Sequence, residues 1–370
     1  MSDFLYLVDQ PALTDFCAGL RGAAWLALDT EFIREQTFYP QLCLIQLATP
    51  DRIACIDPLA LPSLDPLLEL LYDPAITKVL HAAHQDLELF FHLRGAAPAP
   101  VFDTQLAALA LGQGHQLSYA ALVQQLLGVE LDKAHTRADW RQRPLAPAWL
   151  AYAADDVRYL RELYPRQVAA LQQRSWLAAL AEDFQAMCHP DRYRLQPSEA
   201  WRRVREHDRL SGVQRAVLRA LAAWREEQAS RHDRPRRWIL GDIVLLELAR
   251  RMPASMEQLQ RIRGLPAATL QRHGALLLER IAAARAEPPE QWPLRSVRPR
   301  LTPRQMAQVD EWLILIAGRA RDYGIPPQIC ADRRDVENLL AGLDSPLQHG
   351  WRAALIGGEL QARRAGGDDA

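Results

Sequence analysis

Lysine is almost missing from this chain: Lys78 and Lys133 stand alone among 44 basic residues, so nearly every positive charge is an arginine. Cysteine is scarce too. Cys17, Cys43, Cys55, Cys188 and Cys330 are scattered without a C-x-x-C spacing, which argues against a disulfide framework and against a cysteine-built zinc site. Such usage fits a reducing compartment. No stretch of 18 apolar residues occurs, so no membrane-spanning helix is expected. The opening Met-Ser-Asp-Phe-Leu-Tyr has neither a basic nor an apolar leader region, so no secretory leader is expected and the cytoplasm is the expected location.

What remains is globular: 370 residues, 49% hydrophobic and 24% charged, enough for two or three domains. The formal net charge of -1 conceals an asymmetry. Residues 1–200 carry 15 basic against 24 acidic side chains, residues 201–300 carry 21 arginines against 11 acids, and residues 301–370 carry 8 against 10. Coding bias can favour arginine over lysine, but it does not change the sign of a segment. An acidic front followed by an arginine-dense middle fits an acid-built site beside a polyanion-binding surface.

Period-2 and apolar runs predict strands over 24–29, 42–49, 52–56, 77–81 and 100–103, with helices over 64–71, 85–93, 104–111 and 118–127. Pro147 opens a further helix that Pro165 is expected to end or kink, with helical periodicity resuming to about 171. Strands first, then strands alternating with helices, predict an α/β layer on a mixed sheet. Beyond about 200 only helical periods recur.

The chemistry centres on Asp29-Thr30-Glu31-Phe32, placed where the first strand meets a loop. Carboxylates at i and i+2 of an extended chain project to one side, and like charges that close call for a cation. Hard oxygen ligands suit Mg²⁺ or Mn²⁺. Taken alone the pair also fits two solvated acids. Asp86 stands in His81-Ala-Ala-His-Gln-Asp86, just past a strand and at a helix start, where the helix dipole alone would favour an acid. Tyr152 and Asp156 are i and i+4, on one helix face; Asp155 lacks that relation. Together Asp29, Glu31, Asp86 and Asp156 offer enough oxygen for two divalent ions, the arrangement that clamps an in-line phosphoryl displacement. Tyr152 would orient the attacking water and help its deprotonation.

These motifs resemble the DEDD exonuclease superfamily in its tyrosine subclass, and within it the ribonuclease D family. Thr37–Gln46, Phe102-Asp103-Thr104-Gln105 and Asp139–Pro144 resemble that family's nuclease domain as well. The resemblance implies an RNase H-like fold over 1–200 and metal-dependent, hydrolytic 3′→5′ exoribonuclease action that releases 5′-mononucleotides from tRNA precursors and other small structured RNAs. It also implies one ion on Asp29, Glu31 and Asp156, and a second on Asp29 and Asp86. Competing readings are a 3′→5′ DNA exonuclease on the same carboxylates and a non-catalytic RNA-binding protein with a degenerate nuclease domain.

Phe32, Phe38 and Gln41 are candidate contacts to the terminal nucleotide, and Lys133, Arg137, Arg141 and Arg143 to the RNA backbone. Core packing and a solvated loop explain the same residues. His81 and His84 lack a nearby third nitrogen or sulfur ligand, which argues against zinc. Residues 208–287 resemble an HRDC domain and 302–364 a diverged second copy, both all-helical, with 365–370 expected to be a disordered tail. Arg231, Arg234, Arg236, Arg237, Arg250 and Arg251 would give the first module a basic face for RNA. A monomer is expected.

Overall fold

The computed structural model describes residues 3–132, 138–295 and 301–367, with only the backbone for the last two of these. Six strands form one mixed sheet: β1 (Leu5–Leu7), β2 (Trp25–Ile33), β3 (Gln41–Ala48), β4 (Ile53–Ile56), β5 (Thr77–Leu80) and β6 (Val101–Asp103), in the order β1-β4-β3-β2-β5-β6. β2 pairs in parallel with β5 and β5 with β6, β1 pairs in parallel with β4, and β3 runs antiparallel to β4. The helices of this layer are α1 (Gln10–Ala18), α2 (Asp65–Leu71), α3 (His84–Arg94), α4 (Thr104–Ala110), α5 (Tyr119–Leu127), α6 (Pro147–Arg158), α7 (Leu160–Gln173) and α8 (Leu177–Met187).

Side-chain alternation along β2 decides what sits where. Leu26 and Leu28 enter the apolar cluster that holds Leu87, Leu89 and Phe90 of α3, whereas Ala27 enters the cluster that holds Leu150, Ala153, Ala154 and Val157 of α6. By the same period of two, Asp29 and Glu31 face the α6 side and Thr30 the α3 side. α6 starts at Pro147, whose missing N–H costs nothing at the first helical position. α5 is capped by the Ser118 hydroxyl and α4 by the Asp103 carboxylate.

Three features differ from the sequence expectation. β2 continues through Ile33, well past its pairing with β5 at Trp25–Ala27, so Asp29 and Glu31 lie inside a strand and not at its end. β1 and α1 lie outside the expected elements; the three residues of β1 give no readable period. The helix break falls at Tyr159, between α6 and α7, and α7 runs straight through Pro165.

The chain divides into two compact units. One comprises Met1–Ile33, Leu42–Tyr193 and Pro299–Ala370; the other comprises Arg34–Gln41 and Arg194–Arg298. Residues 302–364, expected as a module apart, therefore share a core with the nuclease layer. Val309, Trp312 and Ile316 join the cluster of Ala107, Leu111, Trp176 and Leu180, and Asp183 of α8 accepts from the Trp351 indole at 2.8 Å and from Arg352 at 2.6 Å. The apolar faces of α4 and α8 need that cover. The second unit is helical: α9 (Gly212–Arg231), α10 (Arg236–Ile239), α11 (Asp242–Arg251), α12 (Met256–Gln260) and α13 (Ala267–Ala286), packed around Trp201, Leu218, Leu221 and Trp224.

The C-terminal segment repeats the second unit's opening pattern. α14 (Pro303–Asp322), α15 (Pro327–Cys330) and α16 (Arg333–Leu340) begin at a constant offset of 91 residues from α9, α10 and α11. Each long helix opens with a capping box, Ser211 with Gln214 and Thr302 with Gln305, and each short helix follows a proline, Pro235 and Pro326.

Candidate active site

Asp29 and Glu31 from β2, Asp86 from the first turn of α3 and Asp156 from α6 converge at one end of the sheet. Burial pushes Asp29 well above the usual carboxylate range, and the negative charges of Asp86, Asp156 and Glu31 push it further. Burial, then Asp156 and Asp86, raise Glu31 to about 8. Asp156 is raised to about 7 by burial and by adjacent Asp155. Asp86 rises only to about 6: burial raises it, but the Thr30 hydroxyl donates to its Oδ1 at 2.5 Å and favours the anion. Thr30 thus aims Asp86 from between the two acids of its own strand.

The four acids are near enough to perturb one another, yet among the described residues no three His, Cys, Asp or Glu side chains close into a ligand cage. The donor set is entirely hard oxygen with strongly disfavoured negative charge, which fits divalent Mg²⁺ or Mn²⁺ and does not fit zinc. His81 and His84 are otherwise engaged. His81 contacts Thr104 Oγ1 at 2.9 Å and the Leu117 carbonyl at 3.0 Å, and burial lowers its pKa; His84 stacks on Tyr193 with ring centroids 5.5 Å apart.

Tyr152 and Asp156 share the face of α6 that lines a cavity of about 620 Å³, together with Tyr119, Leu131 and Asp132. The Tyr152 pKa is raised, by burial first and then by Asp156, Glu31 and Asp29, so its hydroxyl keeps its proton. Trp140 lies beside it, with ring centroids 6.3 Å apart. Behind the site Asp103 accepts from the Ala83 amide at 2.8 Å and from Gln105 and Leu106, tying the start of α3 to the start of α4.

Several expected substrate contacts serve the fold. Phe38 is buried under the Arg236 guanidinium, 4.3 Å from its ring centroid, so it is not open to stack on a base. Phe32 is half-buried against the α3-side core, and Gln41 is the exposed first residue of β3. Arg141 is held by Asp139 at 3.0 Å. Arg143 grips buried Asp57 through two nitrogens, at 2.6 and 2.7 Å, and also donates to carbonyls of Trp140, Gln142 and Cys43. Lys133 and Arg137 lie outside the described residues. In the helical unit Arg236 pairs with buried Glu226, Arg250 with Glu206 and Arg251 with Glu247, whereas Arg231, Arg234 and Arg237 are exposed.

Comparison with known proteins finds nucleases similar to this chain. A sequence profile for 3′–5′ exonuclease domains matches residues 6–170, and one for the HRDC domain matches residues 214–281. Ribonuclease D of Gluconacetobacter diazotrophicus is 40% identical over 96% of this chain and 91% of its own length. Ribonuclease D of Pseudomonas paraeruginosa is 38% identical over 96% of each chain. The crystal structure of Escherichia coli RNase D, an exoribonuclease involved in structured RNA processing, superposes with a TM-score of 0.86 at 32% identity, covering 98% of both chains.

Proposed function

This chain belongs to the ribonuclease D family and is a 3′–5′ exoribonuclease of the DEDD superfamily, and on that premise we propose how its residues divide the work. Its exonuclease family depends on divalent metal. In our reading Asp29, Glu31 and Asp156 hold one ion and Asp29 with Asp86 a second, either Mg²⁺ or Mn²⁺. Bound there, the ions supply Lewis acidity to the attacking water and neutralise charge on the departing oxygen. Thr30 keeps Asp86 ionised and aimed. Tyr152 holds its proton and so positions the water by a hydrogen bond from the cavity it lines. The product is a 5′-mononucleotide.

The observation that carries this reading is that Asp86 and Asp156, from two helices far apart in sequence, lie close enough to Asp29 and Glu31 of β2 for their charges to push both of those carboxyls upward.

The helical unit would hold the RNA. A groove of about 1840 Å³ in that unit is lined by seven arginines against Glu35, Asp242 and Glu247, with Trp238 half exposed along it. Arginine for phosphate and an indole for a splayed-out base are the chemistry of single-strand binding. Arg236, Arg237 and Arg251 are among those seven, and Arg231, Arg234 and Arg250 would add to the field. We take the substrates to be tRNA precursors and other small structured RNAs with a single-stranded 3′ end, and the working form to be a cytoplasmic monomer. No helix among the described residues is long and apolar enough to cross a membrane. The matching spacing of α14–α16 to α9–α11 supports residues 302–364 as a second HRDC-like copy.

A 3′-extended tRNA incubated with the protein, with and without Mg²⁺ or Mn²⁺, tests this. Stepwise shortening with released 5′-mononucleotides is expected only with metal, and Asp156→Ala should cost several orders of magnitude in turnover while RNA still binds. Unchanged turnover in Asp156→Ala would refute the assignment. A matched DNA oligonucleotide cut equally fast would refute the preference for RNA.

A further inference from the structure

The hydroxyl of Tyr119 occupies an unusual place. It donates to the Asp155 carbonyl at 2.8 Å and accepts from the Tyr159 amide at 3.2 Å. In an uninterrupted α-helix those two backbone groups, at i and i+4, would bond to each other. Instead α6 ends at Arg158 and α7 begins at Leu160. A phenol has been inserted into the ladder, one of the few identified causes of a helix break. The opened turn contains Asp156, and Tyr152 stands one turn before it on the same face.

Tyr119 is itself firmly placed. It is the first residue of α5, after the Ser118 cap. Its ring lies 5.7 Å from that of His81, which reaches the Leu117 carbonyl two residues upstream of it. Burial and the charge of Asp156 raise its pKa, so the proton given to Asp155 stays in place. Hydrogen bonds thus run from Thr104, the first residue of α4, through His81 to the Leu117 carbonyl, and the chain carries the connection through Ser118 to Tyr119 and the opened turn of α6.

Resting on the active-site assignment above, we infer that Tyr119 is a positioning residue: its hydroxyl, wedged between the Asp155 carbonyl and the Tyr159 amide, sets the direction in which α6 presents Asp156 to the divalent ion. The residue does not touch substrate. It acts through the backbone on either side of Asp156. Without the hydroxyl the Asp155 carbonyl and Tyr159 amide can bond directly, which winds the turn shut and turns Asp156 away. Packing is conserved in Tyr119→Phe, because the ring remains.

The test is titration of the full chain with Mn²⁺ alone, without RNA, followed calorimetrically, with melting recorded for each variant. Outer partners that orient a ligand are typically worth 10- to 100-fold in metal affinity, so Tyr119→Phe should bind Mn²⁺ at least about tenfold more weakly while melting at the wild-type temperature or above. Ser118→Ala, which loosens the same end of α5 but keeps the hydroxyl, should lower melting and leave Mn²⁺ affinity within about twofold. Wild-type Mn²⁺ affinity in Tyr119→Phe would overturn the inference. So would a collapse of melting in that variant, which would mean that the hydroxyl holds the fold and not the direction of one carboxylate. Asp156→Ala is run alongside: if it binds Mn²⁺ as the wild type does, the metal assignment itself fails and the role of Tyr119 with it; if Asp156→Ala alone loses binding, only the inference about Tyr119 falls.

Discussion

At Ala82 the backbone takes φ of 55°, in the left-handed region that a residue with a Cβ enters at a cost of roughly 1–2 kcal/mol. The residue sits between His81 and the start of α3, held on one side by the contacts of His81 to Thr104 and the Leu117 carbonyl and on the other by the Ala83 amide, which donates to Asp103. Strain over-determined in this way, next to reacting groups, is characteristic of functional sites. Ala82→Gly should keep activity and leave stability unchanged or raised by up to about 1 kcal/mol, whereas Ala82→Val should cost about 2 kcal/mol or more, both read from denaturant melts. The residues to which we assign the chemistry stand out in the sequence because their relations are local: i, i+2 on a strand for Asp29 and Glu31, i, i+4 on a helix for Tyr152 and Asp156. Their supports do not. Thr30 reaches Asp86 across 56 positions, Tyr119 reaches Asp155 across 36, and Arg143 finds Asp57 across 86. No period in the chain encodes those distances, and polar residues in a loop read as solvent-facing until the fold closes over them.

Elements with a long, clean period were equally plain in the sequence, and α3, α4, α5 and the core strands fall within a few residues of expectation. β1 escaped because its three residues exist as a strand only by pairing with β4. The break at Tyr159 escaped because a side chain from another helix makes it, not a breaker in the sequence. Residues 302–364 show how an element's role depends on its neighbours: the helix spacing repeats that of α9–α11, but the exposed face has become core against α4 and α8. Two glycines of this segment should behave oppositely. At Gly357, inside the π-helical turn Ala353–Gly357, an added Cβ would fall 1.7 Å from the Leu347 carbonyl oxygen. Gly357→Ala should therefore destabilise by about 1–3 kcal/mol, as overpacking does. At Gly318, near the C-terminal end of α14, an added Cβ meets nothing within 4 Å, and Gly318→Ala should stabilise by about 0.5–1 kcal/mol. Chemical denaturation of the two variants checks both signs.

Over the whole molecule, an acid-built catalytic end and an arginine-lined groove make opposite demands on solution conditions. With no metal present, the folded chain holds protons on Asp86, Asp156 and Glu31 up to about pH 6, 7 and 8, whereas unfolded carboxylates release theirs near pH 4. The folded state binds more protons through that window, so metal-free stability should fall as pH rises from about 5 to 8. Cations that displace those protons should stabilise more at pH 8 than at pH 5; a melting shift with Mn²⁺ that is flat with pH would contradict this. RNA held through arginines releases counterions, so its affinity should fall steeply and log-linearly with salt, and a flat salt dependence would remove the groove from the account. The most direct measurement concerns Asp29, which the account places on both ions. Counting bound Mn²⁺ by titration should give two ions for the wild type and none for Asp29→Asn at the same concentrations; two ions still bound by Asp29→Asn would contradict the claim that these carboxylates hold the metals that cut RNA.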